Sequence, residues 1–129
     1  MPFSRLTLIP APTGEEAQQL ATGLTDLIAA ILRKKHPLTA VLVESPPAHR
    51  WTVGDAGQSS AAELEVSITQ GTNTEEEKRQ FIAEAMALLR RHRPELNAAT
   101  YIVLRELPAS DWGYDGRTQA DRAAPAQQI

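Results

Sequence analysis

Apolar and polar residues follow two different periods along this chain, and the two periods alternate. Residues 2–9 are rich in Leu and Ile and end before Pro10, which cannot continue the hydrogen bonding of a strand. Residues 38–44 and 99–106 are similar apolar segments, and residues 62–69 alternate strictly between apolar and polar side chains. These four segments are predicted β-strands. The first is expected to start at the sheet edge, and the third to be solvated on one face or to lie at an edge.

Two segments between the strands carry apolar residues at helical spacing. These residues are Leu20, Leu24, Leu27, Ile28, Ile31 and Leu32 in the first segment, and Phe81, Ile82, Ala85, Met86, Leu88 and Leu89 in the second. Each segment opens on a capping-box pattern, Thr13 with Glu16 and Thr74 with Glu77, in which the Glu side chain is expected to reach back to the threonine. Basic residues follow the apolar residues in both segments, as suits the negative end of a helix dipole. Each half of the chain is therefore predicted to be a βαβ unit.

The two halves repeat each other. The separation in sequence between Thr13 and Thr74 is the same as that between Trp51 and Trp112, which lie in turn-rich segments. We expect one α+β (α/β) domain over residues 1–129, with repeats at about 2–58 and 59–117, one four-stranded sheet and both helices on one face. The bare, partly apolar face of such a sheet predicts oligomerisation. The polar tail from Arg117 has little to bury and is expected to be disordered or to drape over a neighbour.

Composition narrows the class of protein. The chain has 129 residues, 42% of them apolar, which suffices for one compact unit. A net charge of −3 argues against nucleic acid or an anionic membrane as the partner. Cysteine is absent, which excludes disulfides and thiolate nucleophiles, and no segment has the pattern of a membrane span or signal peptide. We expect a soluble cytoplasmic protein.

Pro2 is the residue with the most unusual chemistry. If Met1 is removed, Pro2 becomes a secondary amine held at the first position of a strand. An α-amino group titrates near ~7.7–8.0, and burial or a nearby cation lowers that pKa towards neutrality, where a general base works best. The alternative is that Pro2 merely starts a strand, where its missing N–H costs nothing.

These features together resemble the tautomerase superfamily. The resemblance rests on the Met1-Pro2 start, the duplicated βαβ unit and the turn aromatics, and it covers residues 2 to about 117. The chain is similar to the 4-oxalocrotonate tautomerase unit in tandem, as in the fused members and cis-3-chloroacrylic acid dehalogenase. The dehalogenase group is matched best by residues 106–109, residues 114–116 and the pair Thr25-Asp26.

The resemblance implies a cofactor-independent enzyme that assembles as a homotrimer. Pro2 would lie at the floor of a pocket between subunits and act as general base or acid. The implied substrates of such enzymes are enols, 2-oxo acids or haloacrylates, and for this chain a small carbonyl compound is expected.

The chain departs from the family at the arginines that hold the substrate. In the first half their places fall on Pro12 and Leu42, and in the second half on Gln70 and Asn73. The two amides can bind a carboxylate or carbonyl, but without the bidentate grip of a guanidinium. The positions of the dehalogenase's histidine, tyrosine and glutamate fall on Ile28, Val103 and Tyr114, so hydrolytic dehalogenation is not expected.

Pro2 is accordingly the predicted catalytic residue. The predicted substrate-binding residues are Gln70, Asn73, Tyr101, Trp112 and Tyr114. Trp112, like Trp51 in the first half, would form an apolar wall. Tyr101 would offer its hydroxyl to an oxyanion, or else be a half-buried strand tyrosine. Cations that could replace the missing arginines are Arg5, Arg50 and Arg105, for which the alternative is a surface ion pair.

Three functions remain open at this point. The first is keto–enol isomerisation with Pro2 as proton shuttle. The second is decarboxylation or addition of water with the same base, and the third is a non-catalytic trimer that binds a metabolite. No metal is expected, because His36, His49 and His92 lack ligand spacing. Ala62 stands in the place of Pro2 in the second half, so that pseudo-site should be catalytically silent.

Overall fold

The computed structural model describes residues 2–124. Its elements, in chain order, are β1 (Phe3–Ile9), α1 (Gly14–Ile31), a 3-10 turn (His36–Leu38), β2 (Ala40–Glu44), β3 (Thr52–Val53), β4 (Ala56–Gly57), β5 (Ala61–Thr69), α2 (Glu75–His92), β6 (Ile102–Leu107), β7 (Gly113–Tyr114), β8 (Arg117–Thr118) and α3 (Gln119–Ala123). The predicted strands and helices are confirmed, with two strands shorter than expected. The 3-10 turn at Pro37 delays β2 to Ala40, and β6 begins at Ile102.

Four strands form one mixed sheet in the order β2-β1-β5-β6. Each βαβ unit pairs its two strands in parallel, and the units join through the antiparallel pair of β1 and β5. β1, expected to start at the sheet edge, is therefore central, and that expectation is wrong. β5 is central as well, and its alternating pattern has the other predicted cause, since one face packs on the helices while the other faces away from them.

The repeat holds in the structure with one local difference. The separation in sequence between the helix starts, Gly14 and Glu75, is the same as that between the small hairpins β3-β4 and β7-β8. The equivalent inward-facing residues of β1 and β5, such as Leu6 and Val66, are separated by one position fewer than the two helix starts are. The connection before α2 is one residue longer than the connection before α1, which accounts for the difference.

The core lies between the sheet and the two helices. Leu6 and Leu8 of β1, with Leu64, Val66 and Ile68 of β5, face Leu20, Leu24 and Ile28 of α1 and Phe81, Ala85 and Leu89 of α2. Ile82, expected to point inward, is instead exposed. The other face of the sheet is left uncovered by residues 2–124 and carries the exposed apolar side chains Phe3, Leu42, Tyr101 and Val103.

The helix caps differ from each other. Thr74 and Glu77 form the complete predicted capping box. Thr13 accepts the Glu16 N–H at 3.1 Å, but the Glu16 carboxylate does not reach back. It accepts two hydrogen bonds from Arg93, at 2.9 and 3.1 Å, and so ties the start of α1 to the end of α2. The side-chain half of the first predicted capping box is therefore wrong.

The tail is ordered as far as the structure describes it. Thr118 accepts a hydrogen bond from the Asp121 N–H at 2.9 Å and caps the short helix α3. The expectation of a disordered tail is wrong for residues 117–124, and residues 125–129 lie outside the described part. No helix within residues 2–124 has the length and apolar character needed to cross a membrane.

Candidate active site

Pro2 lies at the N-terminal end of a central strand. The residue is buried, and its carbonyl oxygen accepts the Ala40 N–H at 3.2 Å. The next residue, Phe3, pairs with Ser67, so Pro2 lies beside the last residues of β5. Neighbours on both sides therefore hold the residue in place.

Several chain segments converge at this end of the sheet, because β5 runs antiparallel to β1. They are the ends of β5 and β6, the C-terminus of α1, the N-terminus of α2 and the hairpin β7-β8. Asn73 joins the two helices there, since its side-chain amide donates to the Leu32 carbonyl at 2.9 Å. Residues distant in sequence thus surround the start of β1.

Trp112 is fixed beside β5 at this end. Its indole Nε1 donates to the Thr69 hydroxyl at 3.2 Å. The next residue is Gly113, where an added Cβ would overlap the Arg117 carbonyl, so the tight hairpin requires glycine here. The hairpin therefore delivers the aromatic ring to the sheet end where Pro2 lies.

A positively charged cavity of about 300 Å³ lies at the same end. Its lining residues are Arg33, Lys34, Lys35, Leu38, Tyr114, Gln119, Arg122 and Ala123. Four of these described residues are cations, and none of them is a carboxylate. The cavity is therefore suited to an anion such as a carboxylate or enolate.

Lys34 is partly buried beside this cavity. Its Nζ donates to the Thr72 hydroxyl at 2.7 Å. Burial first, and then the neighbouring Arg33 charge, lowers the pKa of Lys34 below its usual value. An anion bound nearby would relieve both effects.

Arg122 closes the other side of the cavity. Its guanidinium lies over the Tyr114 ring, 3.8 Å from the ring centroid, and its Nη2 donates to the Tyr114 carbonyl at 2.9 Å. Its Nε and the Gln119 Nε2 are buried without a hydrogen-bond partner in the described part of the chain. Stacking on Tyr114 therefore holds the cation in place while hydrogen-bond donors remain unused.

The acidic residues around the site are paired with other cations. Glu77 accepts from Arg33 Nε at 2.6 Å, and the backbone N–H of Thr74, followed by Arg33, lowers the pKa of Glu77 to about 2. Glu106 is paired with Lys78, which lowers the pKa of that carboxyl, with a smaller contribution from the Gly71 N–H. Lys34 and Arg122 are thus left as cations without a carboxylate within ion-pair distance in residues 2–124.

Asn73 and Gln70, both predicted to bind substrate, lie at this end of the sheet but differ in whether their side chains are free to bind it. The Asn73 amide donates to Leu32 and also to Glu77, at 3.2 Å, so its donors are already used. Gln70 is exposed, and its backbone N–H donates to the Leu107 carbonyl at 2.8 Å.

Tyr101 lies at the opposite end of the sheet. Its carbonyl accepts the Leu64 N–H at 3.0 Å, and Leu64 pairs with Leu6. Leu6 is four positions beyond Pro2, so Tyr101 is about 14 Å from Pro2 along the strand direction alone. Within one chain, Tyr101 lines a different cavity, together with Trp51.

The three arginines that could have replaced the missing substrate-binding arginines do not line the cationic cavity. Arg5 pairs with Glu44 at 3.3 Å, and Arg105 pairs with Glu65 at 3.1 Å, both on the uncovered sheet face. Arg50 is exposed next to Trp51, which lines the cavity at the end of the sheet opposite Pro2. Ile28, where the resemblance would place the dehalogenase histidine, is fully buried in the core.

Curated relatives of this chain are found in two strains of Helicobacter pylori, each described as a probable tautomerase. Each is 32% identical over 57 residues, which is 42% of this chain and 84% of the relative. This chain belongs to the tautomerase superfamily. The relatives are about half as long, so the tautomerase described here is a fused, two-unit form. No protein-family model matches it.

Solved structures share the fold of this tautomerase over nearly its whole length. The protein Pt0534 inactivated by 2-oxo-3-pentynoate superposes with a TM-score of 0.85 at 14% identity, covering 95% of this chain and 99% of that one. A fused 4-OT solved as an asymmetric trimer superposes with a TM-score of 0.84 at 18% identity, with the same coverage. At these identities the likeness concerns the fold.

The sequence of this tautomerase does not predict the cationic cavity. Its pattern places Lys34 among the basic residues at the end of the first helix, and Arg122 in the tail expected to be disordered or to drape over a neighbour. A usable signal was present for Arg122, because Thr118 and Asp121 make a helix-start pattern just before it. No group of His, Asp or Glu able to hold a metal ion occurs within residues 2–124.

Proposed function

We propose that this protein is a cofactor-independent tautomerase in which Pro2, freed by removal of Met1, acts as general acid and base on a small enol or 2-oxo carbonyl compound. The observation that carries the proposal is the membership of the tautomerase superfamily together with a buried Pro2 at the start of a central strand. Such a strand holds the amine at one position.

The reaction needs only a proton to move. The Pro2 nitrogen takes the proton from the enol hydroxyl, and the resulting ammonium returns a proton to carbon as the carbonyl forms. An unperturbed α-amine has a pKa near ~7.7–8.0, and burial disfavours its charged form. The amine would therefore be available as a base near neutral pH.

Lys34 and Arg122 are proposed to hold the negative charge of the substrate. They line the cavity at the Pro2 end, and no carboxylate of the described residues shares its lining. A charge-assisted hydrogen bond from either cation would bind a carboxylate, and the positive field would stabilise the enolate that forms during proton transfer. These two cations would thus take over the task of the arginines missing at Pro12 and Leu42.

Trp112 and Tyr114 are proposed to supply the apolar wall of the same site. Both rings are half-buried, Trp112 held by Thr69 and Tyr114 covered by Arg122. Gln70 is exposed at the end of β5 and remains a proposed hydrogen-bonding residue. Asn73 is proposed to position the loop, because its amide already bonds Leu32 and Glu77.

A homotrimer belongs to the same proposal. The uncovered sheet face exposes Phe3, Leu42, Tyr101 and Val103, with Tyr101 70% exposed. An apolar set of this kind favours burial against another subunit. The fused 4-OT with the same fold forms a trimer.

The direct test is ketonisation of phenylenolpyruvate by the wild type and by Pro2→Ala, with mass spectrometry to confirm that Met1 is absent. We expect the substitution to remove nearly all of kcat/KM. Pro12→Ala, which changes another proline near the start of α1, is the matched control and should keep most of the activity. Equal background rates for wild type and Pro2→Ala, with the amine demonstrably free, would show a tautomerase fold used for another purpose.

A further inference from the structure

A second cavity, of about 490 Å³, lies at the end of the sheet opposite Pro2. It is larger than the cationic cavity. Its lining residues are Trp51, Thr52, Val53, Gly54, Ala62, Glu63, Ala99 and Tyr101. Among these described residues Glu63 is the one carboxylate, and none is Lys, Arg or His.

The internal repeat places this cavity at the position equivalent to the Pro2 end, but the two ends carry different side chains. Ala62 lies where β1 has Pro2, and Glu63 lies where β1 has Phe3. An internal Ala62 carries no free amine, so proline chemistry is impossible here. The opposite cavity is therefore a differently equipped site.

The charges at the two ends are also opposite. Lys34, which lines the cationic cavity, has Glu95 as its counterpart in the second repeat. On the uncovered face, Thr7 pairs with both Glu44 and Glu63, which puts two carboxylates in one row across the sheet. Arg5 neutralises Glu44, at 3.3 Å, while Glu63 has no ion-pair or hydrogen-bond partner within residues 2–124.

Glu63 is also partly removed from water. Burial first, and then the charge of Glu65, raises the pKa of Glu63 above its usual value. The nearest arginine on the same strand pair, Arg105, is occupied by Glu65 at 3.1 Å. A carboxylate in such a place is stabilised by a cation that arrives from outside.

Two aromatic rings complete the lining. Trp51 and Tyr101 border the same cavity as Glu63, and the faces of such rings attract cations. We propose that this cavity binds a small organic cation, an amine on an apolar group, with Glu63 as counter-ion and Trp51 and Tyr101 as the walls. The site is independent of Pro2 and of the proposed tautomerase activity.

The test uses benzylamine as the cation and benzyl alcohol as its neutral counterpart. Trp51 fluorescence is followed in a Trp112→Phe protein, which has no other tryptophan. We expect saturable binding of benzylamine at least ten times tighter than of benzyl alcohol. Glu63→Gln should weaken benzylamine at least tenfold, whereas Glu95→Gln, which changes an exposed carboxylate outside the lining, should leave it unchanged.

Two outcomes would overturn the inference. Equal affinity for benzylamine and benzyl alcohol would mean an apolar cavity without charge preference, and an absence of saturation would mean no site. Tyr101→Leu provides a second variant, and light scattering must show an unchanged oligomeric state because Tyr101 also lies on the uncovered sheet face. It should weaken benzylamine binding more than benzyl alcohol binding. Benzylamine binding by Pro2→Ala separates this result from any failure of the proline chemistry.

Discussion

The indole nitrogen of Trp112 donates a 3.2 Å hydrogen bond to the hydroxyl of Thr69, a residue far from it in the sequence. Thr69 ends a central strand that pairs with β1, so this bond attaches the aromatic hairpin to the sheet beside the start of β1. Rigid attachment of an aromatic wall to a strand favours a defined pocket shape over a mobile one.

Replacing Thr69 with Val tests that attachment. Valine keeps the volume and strand preference but removes the acceptor, which leaves a half-buried indole N–H without its partner. We expect unfolding free energy to fall by about 1 kcal/mol in urea titrations. Ketonisation of phenylenolpyruvate should also slow several-fold. Thr7→Val, which removes a weaker 3.4 Å hydrogen bond to exposed Glu44, is the control. Equal effects of the two variants would contradict the role of Thr69 in holding Trp112.

Lys34→Gln and Arg122→Gln test the cationic cavity. Each removes one charge-assisted hydrogen bond worth roughly 1.5–3 kcal/mol, so KM for an anionic enol should rise about tenfold or more. We expect kcat to fall as well, because the same cations are proposed to stabilise the enolate. Arg79→Gln is the control, because Arg79 is an exposed cation paired with Glu75 and Glu76 outside the cavity. An unchanged KM in both cavity variants would remove them from the site.

The pH dependence of KM provides a separate readout of Lys34. Its pKa lies below the usual 10.5 because burial disfavours the ammonium. The positive charge of Lys34 is therefore lost as pH rises through the lowered pKa. KM should increase in alkaline solution at a lower pH than an ordinary lysine would give, and Lys34→Arg should abolish that increase.

The pair of Glu16 and Arg93 is expected to dominate the stability of the helix layer. Arg93 is 8% exposed, and its Nη1 already lacks a partner in the described residues. Glu16→Ala would leave this buried cation unpaired, so unfolding free energy should fall by about 3 kcal/mol in urea at neutral pH. Glu15→Ala, one residue earlier and exposed, should cost far less. A loss below that of Glu15→Ala would show that the pair contributes nothing.

Glu77 should make the fold sensitive to acid. The Thr74 N–H and Arg33 lower its pKa from 4.5 to about 2, so the ionised form stabilises the folded state above pH 4.5. That stabilisation is lost as pH falls from about 4.5 towards 2. Glu77→Gln should be less stable than wild type at pH 7, and the difference should shrink in acid. Glu75→Gln, an exposed change in the same turn, should show no such convergence in urea unfolding across pH.

Local features of this protein could be predicted because neighbouring residues decide them. The helices begin after Thr13 and Thr74 because each threonine accepts a backbone N–H from the first turn of its helix. The duplication, and the position of Pro2 at the start of a strand, could likewise be recognised in the chain itself. The same holds for the aromatic residue before each hairpin.

Only the tertiary structure decided which distant segments meet. The two halves join through antiparallel β1 and β5, which makes both strands central, puts Tyr101 far from Pro2 and brings Trp112 towards it. The tertiary structure also places Lys34 and Arg122 in the lining of one cavity, although they lie in different halves of the chain. The periodicity of apolar residues indicates which face of a helix or strand is buried, but not which other element packs against that face. The pairing of distant segments depends on how the whole sheet and both helices pack together.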